Sequence, residues 1–298
     1  MNTLLKHSIS VNLSQEAKLR RAWLSPGQAK FIATIDQLGH GAVLPVTHPE
    51  RYELPRLGAV NAFAFRPFVE DSPSQEIAIA DEHGVRRIEL ESSVEFKAIM
   101  LPRCNAVSYS SCGRFLATGS SKGHVRVFDL RGDSPKDRFE HSCSKSPIAS
   151  LAFNAAGDQL FICTQSGELL CAELDDESKG PFKYTSQFDI RVQNQDIYAL
   201  AAHSSAPLIA FGGSSNLVHL VETRRKRLYS VATGVGSIVK AIDCLDNSNQ
   251  FVFIGSAAAE IWGLSSNGLK KESEFQITAG TKVLCAKQYG DTLMLVTQ

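Results

Sequence analysis

The sequence predicts an all-β fold, a seven-bladed β-propeller of four-stranded antiparallel blades. Three observations carry that prediction. A short apolar run recurs seven times, starting at Phe31, Ile77, Leu116, Leu160, Leu208, Phe251 and Leu293. The starts lie 39 to 48 residues apart, which is the period of a blade with four strands. The length, 298 residues, suits one ring without an appended module, so residues 1–298 read as a single domain.

The elements follow in chain order. Residues 5–11 alternate apolar and polar and predict a strand that has no unit of its own. The first unit spans 19–46 and the second 60–90, with His83-Gly84 as a turn. The third unit, 105–131, is the clearest. It shows strands at 106–109, 115–119 and 125–130, separated by Ser111-Cys-Gly113 and Ser121-Lys-Gly123. Glycine in those turns supplies positive φ. Units at 148–174, 197–223 and 239–264 repeat the pattern more weakly. Fourth strands are poorly marked, as outer solvent-wetted strands should be, with candidates at 94–100, 182–190 and 227–231. The seventh unit, 282–298, stops after its second strand. An open edge there is an aggregation hazard.

The third unit resembles the WD-repeat family, with Phe128-Asp129 standing where that family places Trp-Asp. The remaining units share its pattern without most of its polar signatures. A Gly-His pair ahead of the first strand is missing, and Lys122 replaces the hairpin aspartate. Those groups normally form a buried hydrogen-bonded network, so apolar packing is expected to carry more of the stability. The resemblance also implies closure, with one chain end completing the blade begun by the other. Residues 5–11 are expected to pair with the blade at 282–298. One strand is then still lacking. Either that blade has three strands, or the sequence is cut short, or a partner supplies one.

Composition removes several function classes. The chain carries 31 basic and 31 acidic residues, which argues against a general nucleic-acid surface. No window reaches the ~18 apolar residues of a membrane span. Lys6 and His7 interrupt any secretory apolar region, so a cytoplasmic or nuclear protein is expected. The seven cysteines show no Cys-x-x-Cys spacing and read as reduced thiols. Cys163, Cys171, Cys244 and Cys285 fall inside predicted strands, and Cys163, Cys244 and Cys285 are expected to be buried with raised thiol pKa.

Motifs for chemistry do not survive inspection. Gly119-Ser-Ser-Lys-Gly123 fits the nucleophile-elbow pattern but lies in a strand–turn–strand hairpin, not before a helix. Gly234-Val-Gly-Ser237 lacks the Lys-Ser/Thr of a phosphate loop and reads as a blade-to-blade turn. The eight histidines form no metalloprotease motif, and His124 and His219 sit in strands as structural groups. The expectation is therefore no enzyme, no cofactor, no metal and no small-molecule substrate. The polar stretches 131–147 and 175–196, and residues 71–76 that extend the first hairpin of the second unit, read as surface insertions.

Four residues stand out as candidates for partner binding: Asp129, Arg131, Arg224 and Arg225. Asp129-Leu-Arg131 resembles the Trp-Asp-x-Arg box of WD-repeat proteins that dock on the adaptor of cullin-4 ubiquitin ligases. Glu222-Thr-Arg224 has the same offset in the fifth unit. The basic run 224–227 otherwise reads as a solvated turn, and Asp129 as a structural group bonding its turn. Three functions remain open: a scaffold that is a cullin-4-type substrate receptor, a subunit of a fixed assembly whose partner completes the last blade, and, disfavoured, an enzyme.

Overall fold

The structure, a computed structural model, describes residues 5–10, 18–26, 30–46, 59–67, 75–132, 134–174, 182–192, 195–203, 205–245, 249–265, 268–276, 283–289 and 292–297. Every element among the described residues is a strand. The first sheet holds β2 (Leu19–Leu24), β3 (Phe31–Asp36) and β4 (Gly41–Pro45). The second holds β5 (Val60–Phe65), β6 (Glu76–Asp81), β7 (Gly84–Glu89), β8 (Val94–Glu95) and β9 (Ile99–Met100). The third holds β10 (Cys104–Tyr109), β11 (Phe115–Ser120), β12 (His124–Asp129) and β13 (Lys136–Ser142). The fourth holds β14 (Ile148–Phe153), β15 (Gln159–Thr164), β16 (Glu168–Leu174) and β17 (Phe182–Arg191). The fifth holds β18 (Ile197–Ala202), β19 (Leu208–Gly213), β20 (Leu217–Glu222) and β21 (Arg227–Ala232). The sixth holds β22 (Ala241–Leu245), β23 (Gln250–Ile254), β24 (Ala258–Ser265) and β25 (Gly268–Gln276). The last joins β1 (Leu5–Ser10), β27 (Thr292–Thr297) and β26 (Val283–Tyr289).

The first strand of each sheet touches the first strands of its two neighbours, around to β26 against β2. The result is a β-propeller with a central channel. Backbone hydrogen bonds from Val60 N to Gly39 O, Arg103 N to Glu82 O, Ile197 N to Gln165 O and Val239 N to Gly213 O tie neighbouring sheets together. Each bond puts the start of an inner strand beside the second turn of the preceding sheet. One face, the upper face here, therefore collects inner-strand starts. The opposite lower face collects the ends of the inner and third strands.

Second strands are sandwiched between neighbouring sheets, and β6, β11 and β19 are buried along their whole length. That is why they read as unbroken apolar runs, not as alternation. The core lies between blades. Ala33, Ile35 and Val43 of the first sheet pack on Phe63, Ile77 and Ile79 of the second. Phe115, Val125 and Val127 of the third pack on Leu151, Phe153 and Ile162 of the fourth. Each of the larger side chains among these contributes about 1.5–3 kcal/mol on burial.

Four sheets have the expected four antiparallel strands. The others differ. The first sheet has three strands among the described residues, and in the second the outer strand is split into β8 and β9, which both pair with β7. Six sheets are meanders of consecutive strands, whereas the last is built from both chain ends. There β1 lies beside β27 with Leu5 opposite Thr292, and the pairing is parallel. Every other strand pair is antiparallel. The reason is directional. β1 leads into β2 on the upper face, so it runs as a fourth strand would, but it sits in third place.

Residues 131–147, read as an insertion, contain β13, which pairs with β12. Its two-sided wetting hides it in the sequence, since Lys136, Asp137 and Glu140 face solvent. Residues 71–74, 175–181 and Val11 lie outside the described residues. Cys163 and Cys171 are buried, but Cys244 and Cys285 are only half-buried; both sit on inner strands, and Cys285 lines the channel. Among the described residues no helix is long and apolar enough to cross a membrane.

Candidate functional site

Asp129 and Arg131 lie on the lower face where β12 ends. Asp129 is 4% exposed. Its carboxylate accepts hydrogen bonds from Arg131 N at 3.0 Å and Arg131 Nη2 at 2.9 Å. Arg114 Nη2 donates to it at 3.1 Å from just ahead of the neighbouring strand β11, and that guanidinium stacks on Phe115. Burial works against the charged carboxylate, yet the bonds from Arg131 and then Arg114 outweigh it and bring the Asp129 pKa down to about 2. Asp129 thus does bond its own turn. Arg131 is nevertheless 64% exposed along its side chain and is presented to solvent by a rigid partner.

The second candidate group lies on the same face. β20 ends at Glu222, and Arg225 reaches back to it at 3.5 Å. The turn closes with Lys226 at φ 52°. Arg224 borders a hollow of about 330 Å³ shared with Asn154, Asp158, Ser205 and Thr223. The structure pairs Asp129 with Arg131 and sets Arg224 beside Arg225. It does not unite the two groups, because the fourth sheet stands between them.

Several polar clusters were not legible from the repeats. Glu76 starts β6 and is 4% exposed. Arg87 Nε donates to it at 2.6 Å, Tyr109 Oη at 2.6 Å and Arg66 Nη1 at 3.0 Å. The cluster ties the second sheet to the third. Glu260 is fully buried and accepts from Trp262 Nε1 at 2.8 Å, Gly234 N at 2.9 Å and Lys271 Nζ at 3.2 Å. His219, 3% exposed, stacks on Phe211 and lies 2.8 Å from Ser230 Oγ and 2.9 Å from Gln195 Oε1. Burial lowers its pKa to about 4, so the imidazole is neutral and held from both sides. Tight turns use Asp81 Oδ1 and Ser120 Oγ to accept backbone N–H groups. These groups replace the missing family signatures, so apolar packing does not act alone. The signal in the sequence was a lone charge inside an apolar strand, as in Glu76-Ile-Ala-Ile and Ala259-Glu-Ile-Trp262.

A cavity of about 250 Å³ occupies the central channel and is lined by residues of all seven inner strands. Its charged lining residues are Arg21, Lys240, Asp243 and Lys287. Among the described residues, no group of three or more His, Cys, Asp or Glu is placed to hold a metal.

No protein-family model matches the chain. A Target of rapamycin complex subunit, wat1 of Schizosaccharomyces pombe, is 28% identical over 112 residues, 36% of this chain and 35% of that protein. A THO complex subunit 6 homolog of Danio rerio is 25% identical over 174 residues, 54% of this chain and 53% of that protein. The chain thus spans about a third and about half of the length of these relatives. Among solved structures, Chaetomium thermophilum Sqt1 bound to the N-terminus of ribosomal protein L10 superposes with TM-score 0.72 at 19% identity. That match covers 92% of this chain and 80% of Sqt1. The Cps50 (Swd1) propeller of Myceliophteria thermophila gives TM-score 0.63 at 15% identity over 80% of each chain. The fold is that of the WD-repeat β-propellers.

Proposed function

We propose that this chain is a non-catalytic scaffold for protein–protein interaction, with the seven sheets acting as seven blades of one ring. The observation that carries this reading is the placement of exposed apolar side chains. Leu38 is 79% exposed, Met100 70%, Leu217 39% and Ile238 37%. All four lie on the upper face, in second turns or at strand ends beside them, whereas two others, Val94 at 51% and Leu228 at 41%, lie where outer strands begin, toward the lower face. An upper face that carries four of these six exposed apolar groups on a rigid disc is the better-marked contact surface. The relatives point the same way, since wat1 and THO subunit 6 are named as complex subunits and Sqt1 is seen with a bound protein terminus. A cytoplasmic or nuclear location accords with this reading. The test is affinity purification with the double variant Leu38→Asp/Met100→Asp. Loss of stoichiometric partners, with an unchanged melting temperature, supports it. Full retention of every partner refutes the upper face as the contact.

The sharper form of the proposal is a receptor on the cullin-4 ligase adaptor, docked through Asp129, Arg131, Arg224 and Arg225. Its support is Arg131, exposed and oriented by a buried carboxylate. A guanidinium so placed can clamp a partner carboxylate with two parallel bonds. Arg131→Ala should weaken adaptor recovery strongly and leave melting within a degree or two, while Arg224→Ala should do less. Failure of the wild-type protein to recover the adaptor ends this form and leaves the scaffold.

The second reading is a fixed assembly whose partner completes the last blade. The last sheet, with a parallel β1 and three strands among the described residues, favours it. In either reading residues 1–298 form one domain closed by β1. Deleting the first twelve residues should cost several kcal/mol, and an unchanged melting temperature would contradict closure.

A further inference from the structure

Six of the seven inner strands, all but β22, share a register shift at one level of the ring. It falls between Leu19 and Arg21, Val60 and Ala62, Cys104 and Ala106, Ile148 and Ser150, Ile197 and Ala199, and Val283 and Cys285. Five of these six strands place a small residue just after the shift. Only β2 places an arginine there. Packing does not require it, since alanine, serine or cysteine serves elsewhere.

The other charges of the cavity follow the same asymmetry. Lys240 precedes β22 at the upper mouth, Lys287 lies deeper in β26, and Asp243 is 3.6 Å from Lys287. β22, β26 and β2 are consecutive around the ring. The remaining inner strands line the cavity with Ala62, Asn105, Ser150, Tyr198 and other uncharged residues. One arc of the channel thus carries three cations and one carboxylate, in a chain whose charges balance overall. Burial, and then the charge of Arg20, push the Arg21 pKa down. Arg21 is half-buried at the channel wall, and among the described residues the cavity lining offers one carboxylate, Asp243, which lies 3.6 Å from Lys287. A half-buried guanidinium in a wall with excess positive charge favours an anion beside it.

We propose that this arc, Arg21 with Lys240 and Lys287, binds a soluble small molecule that carries two or more phosphate groups. A single phosphate would leave much of the 250 Å³ cavity empty. Arg21 supplies the planar fork that suits phosphate oxygens, and the two lysines supply point charges at different depths. The ring of small residues opposite leaves room for the uncharged remainder. Lys240 lies near Ile238 of the upper face, but Arg21 and Lys287 line the channel itself, so loss of partners on Leu38→Asp/Met100→Asp and loss of pyrophosphate binding on Arg21→Gln can occur independently.

The test is isothermal titration of the full chain with pyrophosphate at low salt, with inorganic phosphate and citrate as comparisons. The expected result is saturable one-to-one binding of pyrophosphate, at least about tenfold tighter than of inorganic phosphate or citrate. Arg21→Gln should weaken it about tenfold or more and Lys240→Gln several-fold. Lys122→Gln, exposed elsewhere on the upper face, should leave it unchanged. Without ligand, Arg21→Gln should melt at or above the wild-type temperature, because a half-buried cation has gone from a wall with excess positive charge. Absence of saturable binding, equal effects of Arg21→Gln and Lys122→Gln, or equal affinity for citrate overturns the proposal. So does a marked fall in melting temperature for unliganded Arg21→Gln, which makes Arg21 structural.

Discussion

Replacing Glu76 by alanine tests how blades are held to one another. Glu76 is 4% and Arg87 6% exposed, and the carboxylate takes two bonds from Arg87, one from Tyr109 and one from Arg66. Arg87 also stacks on Phe96 at 4.7 Å, so it cannot swing freely to water when its partner is removed. The variant then buries an uncompensated guanidinium and an unpaired phenol. Breaking a buried pair from one side costs about 3–5 kcal/mol, and Tyr109 adds part of a hydrogen bond to a charged acceptor. At roughly 2–4 °C per kcal/mol for a large domain, the melting temperature should fall by about 10 °C. Urea denaturation of wild type, Glu76→Ala and Glu76→Ala/Arg87→Met gives the comparison. The double variant should recover much of the loss, because it removes both charges. Burial works against the charged Glu76, but Arg87, Tyr109 and Arg66 more than offset it and hold its pKa below the usual value. Its stabilisation is therefore complete above the unfolded carboxylate's pKa, about 4.3. It is lost as pH falls through the lower folded value. A single variant within about 1 kcal/mol of wild type, or a double variant no better than the single, would refute the reasoning.

Other predictions concern single positions. His219 has a folded pKa of about 4 against ~6.5 unfolded. Stability should thus drop by at most about 3 kcal/mol as pH falls from ~6.5 to ~4, and melts of His219→Gln should lack that slope. Gly123 has φ 78°, and a Cβ there would sit 1.9 Å from Ser144 O, whereas Gly132, φ 91°, has open space. Gly123→Ala should cost well over the ~1–2 kcal/mol of left-handed backbone alone, and Gly132→Ala about that amount, as read from urea midpoints. Brief alkylation followed by mass spectrometry should label exposed Cys112 first and spare Cys104, Cys163 and Cys171. Burial pushes the Cys104 thiol up to about 12, and only the thiolate reacts.

Much of the fold was legible because it repeats. The apolar second strands and the Gly-Ser turns recur with a period set by the blade, and each is a local pattern that needs no neighbour to be seen. β13 escaped because an outer strand wetted on both faces lacks alternation, and Cys244 and Cys285 looked buried because strand membership alone does not set burial. Asp129 and Arg131 were visible as a short local motif, but that Arg114 shares the carboxylate depends on register between β11 and β12. Arg224 and Arg131 could be placed on one face from equal offsets, since strand direction alternates regularly. The parallel β1, the Glu76 cluster and the cationic arc belong to tertiary structure alone. Each joins residues from strands distant in sequence, and their proximity exists only once the ring brings Glu76 to Tyr109, and Arg21 to Lys240 and Lys287.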